Sequence, residues 1–80
     1  MTDGGRTEVV EVHLRVPPEQ IAFVKFIFES YEGIAVVRTV DPAAAVIVLI
    51  IAADFIAVAR EILDALKSEV AWTELPPAAR

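Results

Sequence analysis

Residues 43–53 read Ala43-Ala44-Ala45-Val46-Ile47-Val48-Leu49-Ile50-Ile51-Ala52-Ala53. β-Branched side chains dominate the centre, and the preceding Asp41-Pro42 is a turn signal. The pattern predicts a strand over Ala45 to Ala52 that is apolar on both faces. Such a strand has to be covered twice. A chain of 80 residues covers it only once by itself, so the stretch points to self-association or a bound partner. The triplets Val46, Val48, Ile50 and Ile47, Leu49, Ile51 read alike. Either can be the one that meets the helices, so all six are candidate interface residues.

The rest of the fold unpacks from this strand. Upstream, Ile34 to Val40 reads as its antiparallel partner, because the link through Asp41-Pro42 is short. Downstream, Asp54 is placed to cap a helix whose buried face carries Phe55, Val58, Ala59, Ile62, Leu63 and Leu66. Val70 to Leu75 gives a short last strand, ended by Pro76-Pro77. Near the N-terminus, Thr7 to Val16 alternates with period two. Val10, Val12, Leu14 and Val16 point one way, and Glu11, His13 and Arg15 the other. Pro17-Pro18 stops that strand and opens a helix over Glu19 to Glu32, with Ile21, Val24, Ile27, Phe28 and Tyr31 at helical spacing and Gly33 as its left-handed stop. The order β-α-β-β-α-β predicts an α+β, ferredoxin-like sandwich: a four-stranded antiparallel sheet with two helices on one face. The first and third strands are central. The single domain is expected over residues 7–75, with a flexible tail at 1–6 and a C-terminal tail at 76–80.

Composition narrows the function. A chain this short buries roughly 60–65% of its unfolded surface, and its core alone supplies only a few kcal/mol of net stability. There is no cysteine and one histidine, so disulfides and thiolate metal sites are excluded, and oligomerisation is the reinforcement that remains. No metal site and no cofactor are expected. The lack of cysteine fits a reducing cytoplasm. A net charge of −5 with scattered Lys and Arg argues against a phosphate-binding surface and hence against nucleic acid. Residues 43–59 fall short of the roughly 20 apolar residues a spanning helix needs and carry Asp54. Met1 to Arg6 has no basic region leading into an apolar run, so no signal peptide is read there.

Candidate chemical groups are few. His13 lies between Glu11 and Arg15 on the face away from the helices, and these three are the candidate ligand-binding residues. A histidine without a Ser or Cys nucleophile signature makes no triad, and no catalytic residue is assigned. Glu29, Tyr31, Glu32 and Gly33 close the first helix, where clustered carboxylates suit a hard cation but equally form a solvated helix end. Arg38 interrupts the second strand, as a charge that blunts an edge does. Trp72 reads as core or interface packing. The three glycines stand at 4, 5 and 33, so there is no glycine-rich phosphate loop.

The stretch from Pro17-Pro18-Glu19-Gln20 through Lys25-Phe26, Glu29, Tyr31-Glu32-Gly33-Ile34-Ala35 to Val37, followed by Asp41-Pro42, resembles a small bacterial family catalogued as domain of unknown function 4911. That resemblance implies no activity. The order of elements is also similar to ACT-type regulatory domains, which bind amino acids at subunit interfaces. Where those domains usually carry an Asp-x-Pro-Gly-like turn, this chain has Arg15-Val16-Pro17-Pro18, without the glycine that favours close backbone approach to a ligand. The expected role is a non-catalytic, oligomerising interaction or regulatory module of the cytoplasm, forming a homo-oligomer. The alternative is an ACT-like small-molecule sensor with its ligand near Arg15.

Overall fold

The computed structural model describes residues 8–76. The expected tail at residues 1–6 lies outside that range, as does the C-terminal one beyond Pro76. The chain runs β1 (Val9–Arg15), a 3-10 turn (Pro18–Gln20), α1 (Ile21–Glu29), β2 (Ala35–Asp41), β3 (Val46–Ala52), a second 3-10 turn (Ala53–Phe55), α2 (Ile56–Leu66) and β4 (Thr73–Leu75). The sheet order is β2-β3-β1-β4, and every neighbouring pair is antiparallel. This is the ferredoxin-like α+β arrangement, with β1 and β3 in the centre.

The register settles which face of β3 meets the helices. Ile47, Leu49 and Ile51 are opposite Leu14, Val12 and Val10 on β1. Directly opposed residues share a face, and Ile47, Leu49, Ile51, Val12 and Leu14 are all buried in one core with Val24 and Phe28 of α1 and Ala59, Leu63 and Leu66 of α2. The candidate interface residues therefore divide. Ile47, Leu49 and Ile51 are core, while Val46, Val48 and Ile50 look out from the uncovered face.

Local chemistry moves several expected boundaries. Helix α1 stops at Glu29 rather than Glu32. The Ser30 hydroxyl donates to the Ile27 carbonyl at 2.6 Å, and a turn follows in which the Ile34 amide reaches Tyr31 O at 3.3 Å. Gly33, at φ +83°, serves that turn and not the helix end. Asp54 does not cap α2 through its side chain. β3 runs directly into the 3-10 turn, whose Ala53 amide donates to Glu8 O at 2.9 Å. Phe55 and Val58 are 40% and 39% exposed, because Ile56, Ala59, Leu63 and Leu66 fill the helix side of the core. Val70 and Trp72 are buried beneath the helix layer, which leaves β4 only three residues long.

Ala45, expected in the strand, ends the β2–β3 turn instead. Asp41 Oδ1 accepts from the Ala43 and Ala44 amides at 3.1 and 3.2 Å, and the Ala45 amide donates to Pro42 O at 3.2 Å. This winding leaves Ala45 left-handed at φ +59°, while its carbonyl accepts from Val16 N at 3.1 Å. A β-branched side chain is poorly tolerated there. Ala45→Val is expected to cost about 1–2 kcal/mol. Ala45→Gly is expected to be near neutral, since relief of ~1 kcal/mol of strain offsets ~0.8 kcal/mol of lost methyl burial. Urea midpoints of the two variants check this, and equal losses in both would remove the strain argument.

Candidate functional site

The uncovered face is built by alternation and register alone. Ile50 is flanked by Val36 and Glu11, Val48 by Arg38 and His13, and Val46 by Asp41 and Arg15. β4 adds Leu75 beside His13 and Thr73 beside Arg15, and Val9 lies opposite Ala52 at the far end. The centre is aliphatic. Val9 and Val36 are 52% and 54% exposed, whereas Val48 is only 7% exposed. Glu11, Arg15 and Arg38 stand exposed around it, and His13 is half-buried.

The three predicted ligand residues thus lie side by side on one face, yet they do not converge. Arg15 and Glu11 flank His13 along β1, and no hydrogen bond or ion pair joins the three. The His13 Nδ1 is covered and has no hydrogen-bond partner among the described residues. An orphaned nitrogen of this kind costs roughly 1–3 kcal/mol. A histidine held at that cost between Val48 and Leu75 marks the centre of this face for something other than fold stability.

Besides a cleft of about 210 Å³ at the Val9 and Val36 end of this face, two further concavities lie elsewhere on the domain. One, of about 340 Å³, lies at the β1–α1 and β2–β3 turns, lined by Arg15, Pro17, Pro18, Ala44 and Thr73 among others. The prolines bring no N–H, and the Ala43 and Ala44 amides are already given to Asp41. Arg15 and the Thr73 hydroxyl are left as the side-chain donors. The other, of about 350 Å³, runs between the helices, with Ile27, Ile62 and Leu66 as its floor and Tyr31, Glu61 and Glu69 at its rim.

The remaining candidates resolve into structure. No group of three or more His, Asp or Glu side chains is placed to hold a metal ion among the described residues, so the Glu29–Glu32 helix end forms no such cluster there. Arg38 stands on the edge strand β2, which also carries a bulge between Thr39 and Asp41. Both features discourage edge-to-edge pairing. Trp72 is a core residue whose indole Nε1 donates to Leu63 O at 2.9 Å.

One interaction had no sequence signal that alternation or helical spacing reports. Arg60 on α2 grips Glu74 on β4 through two hydrogen bonds, at 2.7 and 3.2 Å. The guanidinium bonds hold the Glu74 carboxyl below its ordinary range, and the same bonds raise Arg60. The pair is more than two-fifths exposed on both sides, so it fastens β4 to α2 with little net stabilisation.

No helix among the described residues is long and apolar enough to cross a membrane. The family described as Domain of unknown function (DUF4911) matches residues 14–70, which spans the Pro17–Val37 stretch and Asp41-Pro42. No curated protein and no solved structure matches the chain.

Proposed function

The chain belongs to this family of unknown function, and on that premise we propose that the protein is a non-catalytic interaction module whose uncovered sheet face docks a second copy of itself. One observation carries the reading. The central strand β3 turns Val46, Val48 and Ile50 to a face that no helix among the described residues covers, with Val9 and Val36 about half exposed beside them. Apolar patches of this kind on a small domain mark interaction sites. The edges favour the face over lateral growth of the sheet, because β2 is bulged and charged and β4 is three residues long.

The non-catalytic reading is supported by the surroundings of His13. Its direct neighbours are Glu11, Arg15, Val48 and Leu75, none of which is a hydroxyl or thiol nucleophile. The module is placed in the cytoplasm, in keeping with a chain without cysteine.

Molar mass by light scattering across a concentration series tests the proposal. A dimer or higher oligomer that dissociates on dilution is expected. A monomer at every concentration up to the high micromolar range overturns it.

A second reading, an amino-acid sensor of the ACT type, is favoured by the cleft at Arg15 and Thr73. An amino-acid carboxylate on the Arg15 guanidinium would raise the melting temperature in proportion to the logarithm of its concentration. A flat response to a panel of amino acids counts against it.

A further inference from the structure

The two central strands of the uncovered face have an internal symmetry that bears on how a second copy fits. On β1 the sequence Glu11, His13, Arg15 places opposite charges two residues either side of the histidine. On β3 the cross-strand partners are Ile50, Val48 and Val46, with aliphatic groups of similar size either side of the valine. A line drawn across the strands through Val48 and His13 therefore exchanges acid for base on β1 and aliphatic for aliphatic on β3.

We infer that the second copy docks face to face about a two-fold axis lying along that line. This inference rests on the reading that a second copy covers the face, and it adds the register. Each strand then stacks antiparallel over its own copy. Glu11 faces Arg15 of the second copy, twice by symmetry. Ile50 faces Val46, and Val48 faces Val48. His13 meets His13 on the axis, each with its Nδ1 already covered within its own chain.

Geometry permits the charge pairs. Two residues of strand place Glu11 and Arg15 about 6.6 Å from the axis. Face-packed sheets cross at about 30°, which displaces the paired groups sideways by about 3–4 Å. The flexible Arg15 side chain spans that offset. The other isologous arrangement, with its axis along the strands between β1 and β3, sets Ile50 on Glu11 and Val46 on Arg15. It pairs no charges and desolvates two.

The footprint makes these pairs matter. Three strands of seven residues and one of three present a plane of roughly 380 Å² per copy, about 760 Å² over both copies, which is in the range of weak, transient interfaces. So small an interface relies on its few polar contacts for orientation. On the edge strand β2 Arg38 meets Arg38 and Asp41 meets Val36, at the rim where solvent and salt screen the charges.

Charge reversal tests the register. Glu11→Arg alone sets Arg on Arg twice, and Arg15→Glu alone sets Glu on Glu twice. Each is expected to weaken the dimer about tenfold, and the double reversal to bring it back to within a few-fold of the wild type. An equimolar mixture of the two single variants is expected to form the heterodimer above its statistical share. Native mass spectrometry reads this directly, since the variants differ in mass. Dimers whose double variant stays weak and whose mixture stays statistical overturn the register but leave the docking face standing. A wild type that is monomeric throughout removes both.

Discussion

Leu49→Ala is expected to leave the chain largely unfolded near physiological temperature, whereas Ile50→Ala, one residue further on, is expected to leave it folded and dissociated. The two side chains are of equal size and sit on opposite faces of β3. Leu49 is fully buried, between Val12 of β1 and Val37 of β2. Its truncation removes transfer energy and leaves a cavity, together about 3–5 kcal/mol. A domain of this size holds only about 3–5 kcal/mol in reserve. Ile50 lies on the uncovered face between Val36 and Glu11. Its truncation forfeits about 1 kcal/mol of fold stability, because its burial within one chain is partial, and it removes an aliphatic contact at the docking face. Urea unfolding followed by the single tryptophan, together with molar mass at one fixed concentration, reads both effects. Equal losses of fold stability in the two variants would falsify the assignment of faces.

That contrast also shows what the sequence could not say. Sequence alone orients β1, because Glu11, His13 and Arg15 break its apolar pattern on one side. β3 has no polar residue, so period two gives two equivalent answers. Only its pairing with β1 and β2 chooses between them. The element order and the central position of β1 and β3 were legible because prolines, Gly33 and the Asp41-Pro42 turn punctuate the apolar runs.

What was missed is local hydrogen bonding that competes with regular structure. Ser30 back-bonds to Ile27 and closes α1 before Gly33. Asp41 winds a turn tight enough to carry Ala45 into a left-handed conformation, and alanine gives no warning of it. Phe55 and Val58 read as buried from their apolarity, yet both stand about two-fifths exposed. The core already had its stripe in Ile56, Ala59, Leu63 and Leu66. Of the candidate site, the cluster of Glu11, His13 and Arg15 on the outer face was readable from alternation. Its relation to Arg38 across Val48, and to Leu75 and Thr73 on β4, needed the register.

Trp72→Ala is expected to cost about 3–5 kcal/mol, and Trp72→Phe about 1–3 kcal/mol, for different reasons. The indole is only 8% exposed and packs in the core below α2. At the end of that helix the Lys67 amide turns to Asp64 O at 3.2 Å. The Leu63 carbonyl is one of the last carbonyls of the helix, and it accepts from the Trp72 indole at 2.9 Å. Lys67 Nζ rests 4.2 Å from the ring centroid, which adds a cation–π contact of about 0.5–1 kcal/mol. The ring thus caps α2 and fixes the segment that delivers Thr73–Leu75 to the edge of β1. Phenylalanine keeps the packing but leaves a buried carbonyl without a donor. Alanine loses both. Far-UV circular dichroism during urea unfolding reads the stabilities without needing the lost fluorophore. Hydrogen exchange should be accelerated first in β4, which has three pairs on β1 and the Arg60–Glu74 clasp to hold it. Because Leu75 and Thr73 border His13 and Arg15 on the uncovered face, loosening β4 in Trp72→Phe should weaken self-association as well. A Trp72→Phe variant as stable as the wild type would show that ring packing alone anchors the segment and that the indole bond adds nothing.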